Sequence, residues 1–321
     1  MPQGRQKRYD MESLAVIIEA PERLSLRPLR LEMIGTDDVL IDTAWSGVST
    51  GTEKLLWTGE MPPFPGMGYP LVPGYESVGR IVEAGKNAQS RIGEWVFVPG
   101  ARCYVGAHGL FGGNSQRLIV PAARAITVPE ALEERGVLLA LAATALHLLK
   151  GGTAPELIVG HGVLGRLIAR IAIARGARPP LVWENNPIRR AGAQGYEVRD
   201  PADDEHTACA AICDVSGNAS LIEPLIKRLA RGGEVVLGGF YRAPISFAFP
   251  PAFQREARLR IAAEWQPEDL SEVRDMVVGG LLDLSGLVSD VRPAEEAGEA
   301  YPYAFTDSRC LKLVLDWRMN S

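Results

Sequence analysis

Apolar residues divide the chain into a first part rich in short strands and a later part in which strands and helices alternate. Between Leu14 and about Val128 the β-branched runs are short and broken by Gly and Pro, a spacing that predicts an all-β subdomain. Trp57–Pro73 is too rich in proline for a regular ladder, so we predict a loop carrying apolar side chains. The predicted strands of this part are Val39–Thr43, Val78–Val82, Trp95–Val98 and Leu118–Val120.

After Pro129 the pattern changes to strands alternating with helices, which predicts an α/β fold with a doubly wound parallel sheet. The predicted buried strands are Leu157–Gly160, Pro180–Glu184, Ala210–Val215, Glu234–Gly239 and Leu259–Ala263. The predicted helices are Val137–Lys150, Val163–Arg175, Pro187–Ala193, Leu221–Arg231 and Glu268–Leu282, and a last strand follows at Leu311–Leu315. The simplest topology is a β-rich domain (residues 1–125 and 267–321) interrupted by a nucleotide-binding domain (residues 126–266).

Composition and charge narrow the class of protein. The 321 residues carry a net charge of −5, which does not support a nucleic-acid partner. The longest apolar stretch, Gly136 to Leu149, falls short of the roughly 20 residues of a membrane-spanning helix, and no apolar run behind the basic tail resembles a secretory signal. Four cysteines without a CxxC pair fit a reducing compartment. We expect a cytoplasmic protein, with peripheral membrane contact left open.

A glycine-rich turn follows the predicted strand Leu157–Gly160 and opens a helix. The order of strand, glycine turn and helix N-terminus predicts a dinucleotide site, because free backbone N–H groups and the positive end of the helix dipole attract the pyrophosphate. Later strands end at Ser216 and at Gly238, at the edge where a nicotinamide would lie. The predicted cofactor residues are Gly160, His161, Gly162, Val163, Leu164, Gly165, Glu184, Asn185, Ser216, Gly238 and Gly239.

Two features of this predicted site bear on the cofactor. Glu184 ends the second strand about 20 residues after the turn, where a carboxylate binds the adenosine ribose hydroxyls and repels a 2′-phosphate. This favours NAD over NADP, although Arg189 and Arg190 lie close by in sequence. His161 inside the turn either contributes only its backbone amide or contacts a phosphate directly.

The order of five motifs resembles the medium-chain alcohol dehydrogenase superfamily over nearly the whole chain. The resemblance implies a Rossmann sheet inserted in a GroES-like catalytic domain, and a homodimer. The motifs are Gly47-Val48-Ser49, Pro73-Gly74-Tyr75-Glu76-Ser77-Val78-Gly79, Gly93-Glu94-Trp95-Val96, Thr144-Ala145-Leu146-His147 and the glycine turn.

The resemblance also shows that the metal ligands of zinc members are missing. Ser49 stands where those members have a cysteine, Tyr75 where they have a histidine, and Ala140 near the third ligand. Because catalytic zinc needs about three protein ligands and only Glu76 remains, the sequence implies a zinc-free member with no metal.

Three further segments resemble the branch of this superfamily that oxidises the 3-(1-hydroxyethyl) group of a bacteriochlorophyllide to 3-acetyl. They are 45–53, 64–76 and 103–113. The resemblance implies a tetrapyrrole substrate and NAD-dependent oxidation. Apolar loop residues would contact such a flat ring, or alternatively fold back on their own core. The candidate substrate residues are Met61, Phe64, Met67, Tyr69, His108 and Phe111.

Without a metal, a side chain or a water relay must accept the hydroxyl proton of the alcohol. Tyr75 could hydrogen-bond the alcohol, but a phenol needs a perturbing neighbour to act as a base. Glu76 could orient Tyr75, accept the proton, or hold a buried hydrogen-bond network. Ser49 and Thr52 could pass the proton on or cap a turn, and His147 could be a general base or a packed core histidine.

Glu53 and Lys54 could complete an exit path for the proton.

Two other functions stay open from the sequence. One is a zinc-free enoyl or quinone reductase that uses NADPH, which Glu184 opposes. The other is a nucleotide-binding protein without catalysis, for which tight cofactor binding without hydride transfer would be the sign.

Overall fold

The computed structural model describes residues 11–63 and 65–318, so the basic N-terminal tail and Phe64 lie outside the described residues. The chain forms two compact units. Of the described residues, those within 11–137, 290–306 and 312–318 form unit 1, and those within 138–289 and 307–311 form unit 2. These bounds differ from the predicted ones, since residues 126–137 group with unit 1 and residues 267–289 group with unit 2.

The helices and strands follow one another along the chain as listed here. The first segment contains β1 (Glu12–Ala20), β2 (Arg23–Arg30), β3 (Asp38–Val48), α1 (Thr52–Thr58), β4 (Leu71–Val72), β5 (Ser77–Ala84), β6 (Trp95–Val98), β7 (His108–Gly109), β8 (Arg117–Pro121) and β9 (Ile126–Thr127). The middle segment contains α2 (Leu139–Leu149), β10 (Leu157–Val159), α3 (Val163–Ala174), β11 (Leu181–Trp183), β12 (Glu197–Arg199), β13 (Cys209–Asp214), α4 (Ile222–Arg228), β14 (Leu229–Leu237), α5 (Phe249–Arg255), β15 (Arg258–Ile261) and α6 (Pro267–Val278). The last segment contains β16 (Asp290–Pro293), α7 (Ala297–Thr306) and β17 (Leu313–Asp316).

Unit 1 is built from two sheets. One sheet has the order β2-β1-β4-β7, and the other has the order β16-β17-β3-β5-β6-β9 with β8 paired to β3. Strand β3 is mostly buried; β8 pairs with its N-terminal half, and β5 and β17 pair with the half that ends at Val48. The predicted strands of this unit are all present, as expected from their β-branched runs.

The predicted loop Trp57–Pro73 is only partly correct. Helix α1 extends to Thr58 and closes at Gly59, which adopts φ 74° and so permits the left-handed turn that ends the helix. Strand β4 occupies Leu71–Val72. The irregular segment lies between these elements, because the prolines that prevent regular structure begin only at Pro62.

Unit 2 is a parallel six-stranded sheet with the order β12-β11-β10-β13-β14-β15. This confirms the predicted α/β fold with a doubly wound sheet. Strand β10 is central, so the turn that follows it lies among the carboxyl ends of buried neighbours. Helix α6 belongs to this unit because Asp269 accepts hydrogen bonds from His147, in the last turn of α2, and from Lys150, just beyond that helix.

Several predicted elements of unit 2 were wrong in detail. The predicted helices Leu221–Arg231 and Glu268–Leu282 were too long, since α4 ends at Arg228 and α6 ends at Val278. Strand β15 was expected to be buried, but it lies at the edge of the sheet, where Leu259 is 37% exposed and Ile261 is 76% exposed. The predicted helix Pro187–Ala193 is a single 3-10 turn over Pro187–Arg190, because Asn186 caps its start and the extended Ala191 ends it.

The other 3-10 turns are short and connect regular elements: Gln89–Arg91, Ala122–Arg124, Glu130–Leu138, Pro201–Asp203, Ala219–Leu221 and Ala294–Glu296. Among the described residues, no helix combines the length and the hydropathy that crossing a bilayer requires.

Candidate active site and cofactor turn

A cluster of hydroxyl groups lies at the end of β3 in unit 1. The Oγ of Ser49 and the phenol oxygen of Tyr75 are 2.8 Å apart, and either atom can donate the hydrogen bond. The side chain of Thr52, at the start of α1, lies close enough to Tyr75 to lower the pKa of its phenol. The structure therefore brings together three of the residues that the sequence proposed for proton transfer.

Tyr75 keeps its proton in this environment. Burial raises the pKa of its phenol well above the ordinary value, the negative charge of Glu76 raises it further, and the side chains of Ser49 and Thr52 oppose the shift only in part. A tyrosine that acts as a base needs a lowered pKa, whereas the pKa of Tyr75 is raised. Tyr75 can accept one proton while donating another, but it does not store a negative charge.

Glu76 forms a buried ion pair that the sequence analysis missed. Its Oε2 contacts the Nζ of Lys312, which also donates a hydrogen bond of 3.1 Å to the Val48 carbonyl oxygen. Glu76 is 0% exposed and Lys312 is 2% exposed. Burial raises the pKa of Glu76, and the positive charge of Lys312 opposes that rise. No local signal marks Lys312, because it is 236 residues from Glu76 in the chain.

Glu53 is a second fully buried carboxyl group near the same strand end. Its Oε1 accepts a 3.0 Å hydrogen bond from the Ser49 amide, and its Oε2 accepts bonds from the Tyr301 hydroxyl at 2.7 Å and from the Asn114 amide at 3.1 Å. Burial raises the pKa of Glu53 to about 7, against the lowering effect of these donors. The expected exit path is not supported, since Glu53 is fully buried and Lys54 donates to the Phe305 carbonyl oxygen.

The groups at the predicted zinc position do not fit a zinc ion. Ser49 and Tyr75 offer neutral hydroxyl groups, and the Glu76 carboxylate is already neutralised by Lys312. Zinc prefers thiolate, imidazole and free carboxylate ligands, and Ala140 offers none. Among the residues that the structure describes, the one group with metal-binding geometry is Glu156, His206 and Cys209 in unit 2, and none of these three is a predicted catalytic residue.

The predicted substrate loop forms an apolar cluster beside Tyr75. Met61, Met67, Tyr69 and Phe111 are half-buried and pack against four buried residues: Ile18, Leu56, Leu71 and Leu110. The Tyr75 ring meets the Phe111 ring edge to face, with centroids 5.4 Å apart. The cluster therefore packs on its own core and still presents half-exposed apolar groups next to the hydroxyl cluster.

The two predicted histidines occupy different surroundings. His108 is exposed on β7 and lines a small cavity of unit 1. His147 lies on α2 in unit 2, where its Nδ1 is 2.8 Å from Asp269 Oδ2. Asp269 also caps the start of α6 by accepting a hydrogen bond from the Gln266 amide, so His147 contacts a carboxylate that is part of a helix cap.

In unit 2 the glycine turn has the geometry that a pyrophosphate requires. Gly160 adopts φ 106°, a left-handed conformation that favours glycine. A Cβ at Gly165 would clash with the Gly160 carbonyl oxygen, so α3 approaches the strand end only because this position has no side chain. The space around Gly162 is open, and Val163 and Leu164 begin α3 directly after it. Free N–H groups of the helix start therefore face an uncrowded site.

Glu184 is fixed at the end of β11 by backbone donors from both sides. Glu184 accepts hydrogen bonds from the His161 amide at 3.2 Å and from the Asn186 amide at 2.8 Å. Asn185, between Glu184 and Asn186 in the sequence, is exposed. Each carboxylate oxygen keeps a further lone pair for a ribose hydroxyl.

The His161 ring is a structural element of the turn. It is fully buried between the Arg189 carbonyl oxygen at 2.7 Å and the Tyr196 hydroxyl at 2.9 Å. Burial lowers the pKa of His161 to about 4, so the ring is neutral at physiological pH. Arg166 on α3 donates to the carbonyl oxygens of the same loop, namely His161, Arg189, Ala191 and Gly192.

The far side of the turn is held by Asp214, which the sequence analysis did not select. Its carboxylate accepts hydrogen bonds from the Ser216 amide at 2.8 Å and from the Tyr241 hydroxyl at 2.9 Å. Its carbonyl oxygen accepts bonds from the amides of Gly238 and Gly239. The backbone of Ser216 also lies close to Gly160. The predicted cofactor residues of β10, β13 and β14 therefore converge at one sheet edge.

Comparison with known proteins agrees with this architecture. The alcohol dehydrogenase GroES-like domain matches residues 35–130. A short chain alcohol dehydrogenase from Escherichia coli CFT073, solved in complex with NADH, superimposes with a TM-score of 0.82 over 95% of this chain and 99% of its own, at 20% identity. The domain match places a GroES-like domain in unit 1, and the superposition shows that the chain shares the fold of an alcohol dehydrogenase.

Two curated relatives narrow the class further. The 2-desacetyl-2-hydroxyethyl bacteriochlorophyllide A dehydrogenase of Rhodobacter capsulatus is 55% identical over 96% of this chain and 99% of its own length. The protein of the same name from Cereibacter sphaeroides is 53% identical over 97% of this chain and 100% of its own length. The chain belongs to the 2-desacetyl-2-hydroxyethyl bacteriochlorophyllide A dehydrogenase family.

Proposed function

We propose that this enzyme oxidises the 3-(1-hydroxyethyl) group of a bacteriochlorophyllide to 3-acetyl in bacteriochlorophyll synthesis, with NAD as hydride acceptor and without a catalytic metal. The dehydrogenase family and the glycine turn support a nicotinamide cofactor. The observation that carries the zinc-free mechanism is the Ser49–Tyr75 hydroxyl pair, which lies beside the apolar cluster while Glu76 is closed off by Lys312.

The residues of this chain have separate tasks in the proposed reaction. The glycine turn and Glu184 would hold the nicotinamide cofactor, which would supply the hydride acceptor for the alcohol carbon. Tyr75 and Ser49 accept the hydroxyl proton of the alcohol by passing their own protons onward, a direction open to them because either hydroxyl can donate. Thr52, half-buried beside Tyr75, is the next group toward solvent.

The apolar cluster contributes by orientation and by the exclusion of water. Met61, Met67, Tyr69 and Phe111 offer polarisable and aromatic surface suited to a flat macrocycle. The product carbonyl is conjugated with that macrocycle, so part of the charge change spreads into the substrate. This reduces the demand for a Lewis acid.

The preference for NAD over NADP rests on Glu184 and on the state of the nearby arginines. Arg190 donates to the carbonyl oxygens of Glu184 and Asn185 and pairs with Asp200. Arg189 donates to the Ser308 carbonyl oxygen. Because both guanidinium groups are engaged and Glu184 is an acid, a 2′-phosphate would meet repulsion without a free cation.

The test mixes purified protein, a 3-(1-hydroxyethyl) bacteriochlorophyllide and NAD or NADP with a chelator present. The absorbance of the pigment and of the reduced cofactor is followed. We expect equal amounts of acetyl pigment and NADH, at a rate that the chelator leaves unchanged. Cofactor binding without hydride transfer would contradict the proposal, and so would a rate that chelation abolishes and zinc restores.

A homodimer is part of this proposal. Strand β15 is paired on one side only, by β14, and Ile261 on it is highly exposed. An open strand edge with apolar side chains favours pairing with a second chain. Light scattering should give the mass of a dimer, and Ile261→Lys should give a monomer. A monomeric wild type would contradict this part.

A further inference from the structure

A small cavity in unit 1 carries an unbalanced positive charge. Its volume is about 200 Å³, and its lining includes Arg102, Tyr104, His108 and Leu110. Pockets for a whole drug-sized ligand measure roughly 300–1,000 Å³, so this cavity suits one arm of a ligand and not a macrocycle.

The positive charge comes from Arg102 and from a second guanidinium nearby. Among the described residues, no carboxylate lies within salt-bridge distance of Arg102, in contrast to many other arginines of the chain. Arg124 is close enough that burial first, and the charge of Arg102 second, lower its pKa. One terminal nitrogen of the Arg124 guanidinium group donates a 3.0 Å hydrogen bond to the Pro99 carbonyl oxygen. Glu32 lies near Cys103 in this region without forming an ion pair with Arg102.

The cavity is connected to the apolar cluster beside Tyr75. Leu110 lines the cavity and also belongs to the cluster that includes Met67, Tyr69 and Phe111. The backbone of this region is held by β7, which pairs with β4, and by the Ala101 amide, which donates to the Phe111 carbonyl oxygen. A cationic cavity therefore adjoins an apolar, aromatic surface on one framework.

We propose that this cavity binds the free propionate carboxylate of the pigment, so that the enzyme selects the free acid over its ester. This rests on the proposed function, because the ligand must be an amphiphile with a flat apolar body and a carboxylate on a flexible arm. The planar guanidinium of Arg102 matches a carboxylate with two parallel hydrogen bonds. Esterification removes the negative charge and enlarges the group that must enter the cavity.

The test compares a 3-(1-hydroxyethyl) bacteriochlorophyllide with its propionate methyl ester. Two measurements are made on each compound: equilibrium binding by fluorescence quenching, and steady-state oxidation with NAD. The variants are Arg102→Gln, which removes the charge, and Arg102→Lys, which keeps it without the planar fork. The matched control is Arg23→Gln, an exposed arginine on β2 that does not line the cavity.

For a charge-assisted contact with the exposed Arg102 we expect the wild type to bind the acid about tenfold more tightly than the ester, with kcat similar for both. Arg102→Gln should remove that preference by weakening only the acid, Arg102→Lys should keep part of it, and Arg23→Gln should keep all of it. Added salt should reduce the preference in the wild type.

Equal binding of acid and ester by the wild type would overturn the subsite. So would an Arg102→Gln variant that weakens both compounds equally, because a merely structural role has that signature. A wild type that prefers the acid in binding but oxidises neither compound would instead contradict the proposed function and leave the subsite standing.

Discussion

Replacing Lys312 with Met tests how far the region around Ser49 and Tyr75 depends on one buried cation. Lys312 is 2% exposed and Glu76 is 0% exposed, so water screens neither charge. Met retains most of the aliphatic volume but removes the ammonium group that contacts Glu76 and the Val48 carbonyl oxygen. Glu76 is then a buried carboxyl group without a counter-charge.

The expected loss in the free energy of unfolding is about 3–5 kcal/mol at neutral pH, the range found when one partner of a buried ion pair is removed. Burial already raises the pKa of Glu76 while Lys312 lowers it, so the pKa rises further in the variant. The folded variant then binds a proton that the unfolded chain, with an ordinary carboxyl pKa of 4.5, has released. Between its raised folded pKa and the unfolded value of 4.5, Glu76 should make the variant more stable on acidification by up to about 1.4 kcal/mol per pH unit, and the gain should stop where the unfolded carboxyl also binds a proton.

The measurement is urea unfolding at pH 6 and pH 8, combined with hydrogen exchange on the peptides of β3 and β17, which flank the pair. The double variant Glu76→Gln/Lys312→Met removes both charges and should recover most of the loss, to within about 2 kcal/mol of the wild type. The reasoning is refuted if Lys312→Met unfolds like the wild type at both pH values, or if the double variant is less stable than Lys312→Met.

Three further predictions concern catalysis, the cofactor and pH. Tyr75→Phe should lower kcat by about 10²–10⁴ with unchanged NAD binding, as expected for loss of a proton-transfer group, whereas Tyr303→Phe should not; equal loss in both would contradict the relay. Glu184→Ala should weaken NAD binding, measured by titration calorimetry, at least tenfold and more than Tyr75→Phe does; the reverse ranking would contradict the cofactor site. Because the pKa of Glu53 is raised to about 7, its stabilising contribution is present below pH 4.5 and is lost as the pH rises to about 7. Urea unfolding should therefore show stability falling over this window in the wild type and a flatter profile in Glu53→Gln, and identical profiles would contradict the raised pKa.

The sequence predicted those parts of the fold whose signals are local. The strand Leu157–Val159, the glycine turn and the helix Val163–Ala174 follow one another directly, so each supports the assignment of the next. Helix α5 was missed because two prolines, Pro250 and Pro251, follow its first residue. Prolines are tolerated at the start of a helix, but in a sequence pattern they indicate a helix break. Helix α7 was missed for a similar reason, since Pro302 lies inside it.

The candidate site was predictable only in part. Ser49, Thr52 and Tyr75 could be selected because they stand at positions where zinc relatives have metal ligands or their neighbours. Tyr301 and Asn114, which hold Glu53, and Lys312, which holds Glu76, are distant in sequence and carry no motif. The pairing of β17 with β3 places Lys312, whereas Tyr301 lies on α7 and Asn114 lies just before β8. Such long-range contacts cannot be obtained from hydrophobic periodicity.

Arg166 limits how much the loop after Glu184 has to rearrange when a dinucleotide binds. Its guanidinium group ties the loop carbonyl oxygens of Arg189, Ala191 and Gly192 to the helix that follows the glycine turn. These hydrogen bonds restrict the segment after Glu184 without any ligand, so we expect association to restrict it little further. The adenosine end of the cofactor should bind as to a rigid surface, with a small loss of conformational entropy and little change in backbone protection.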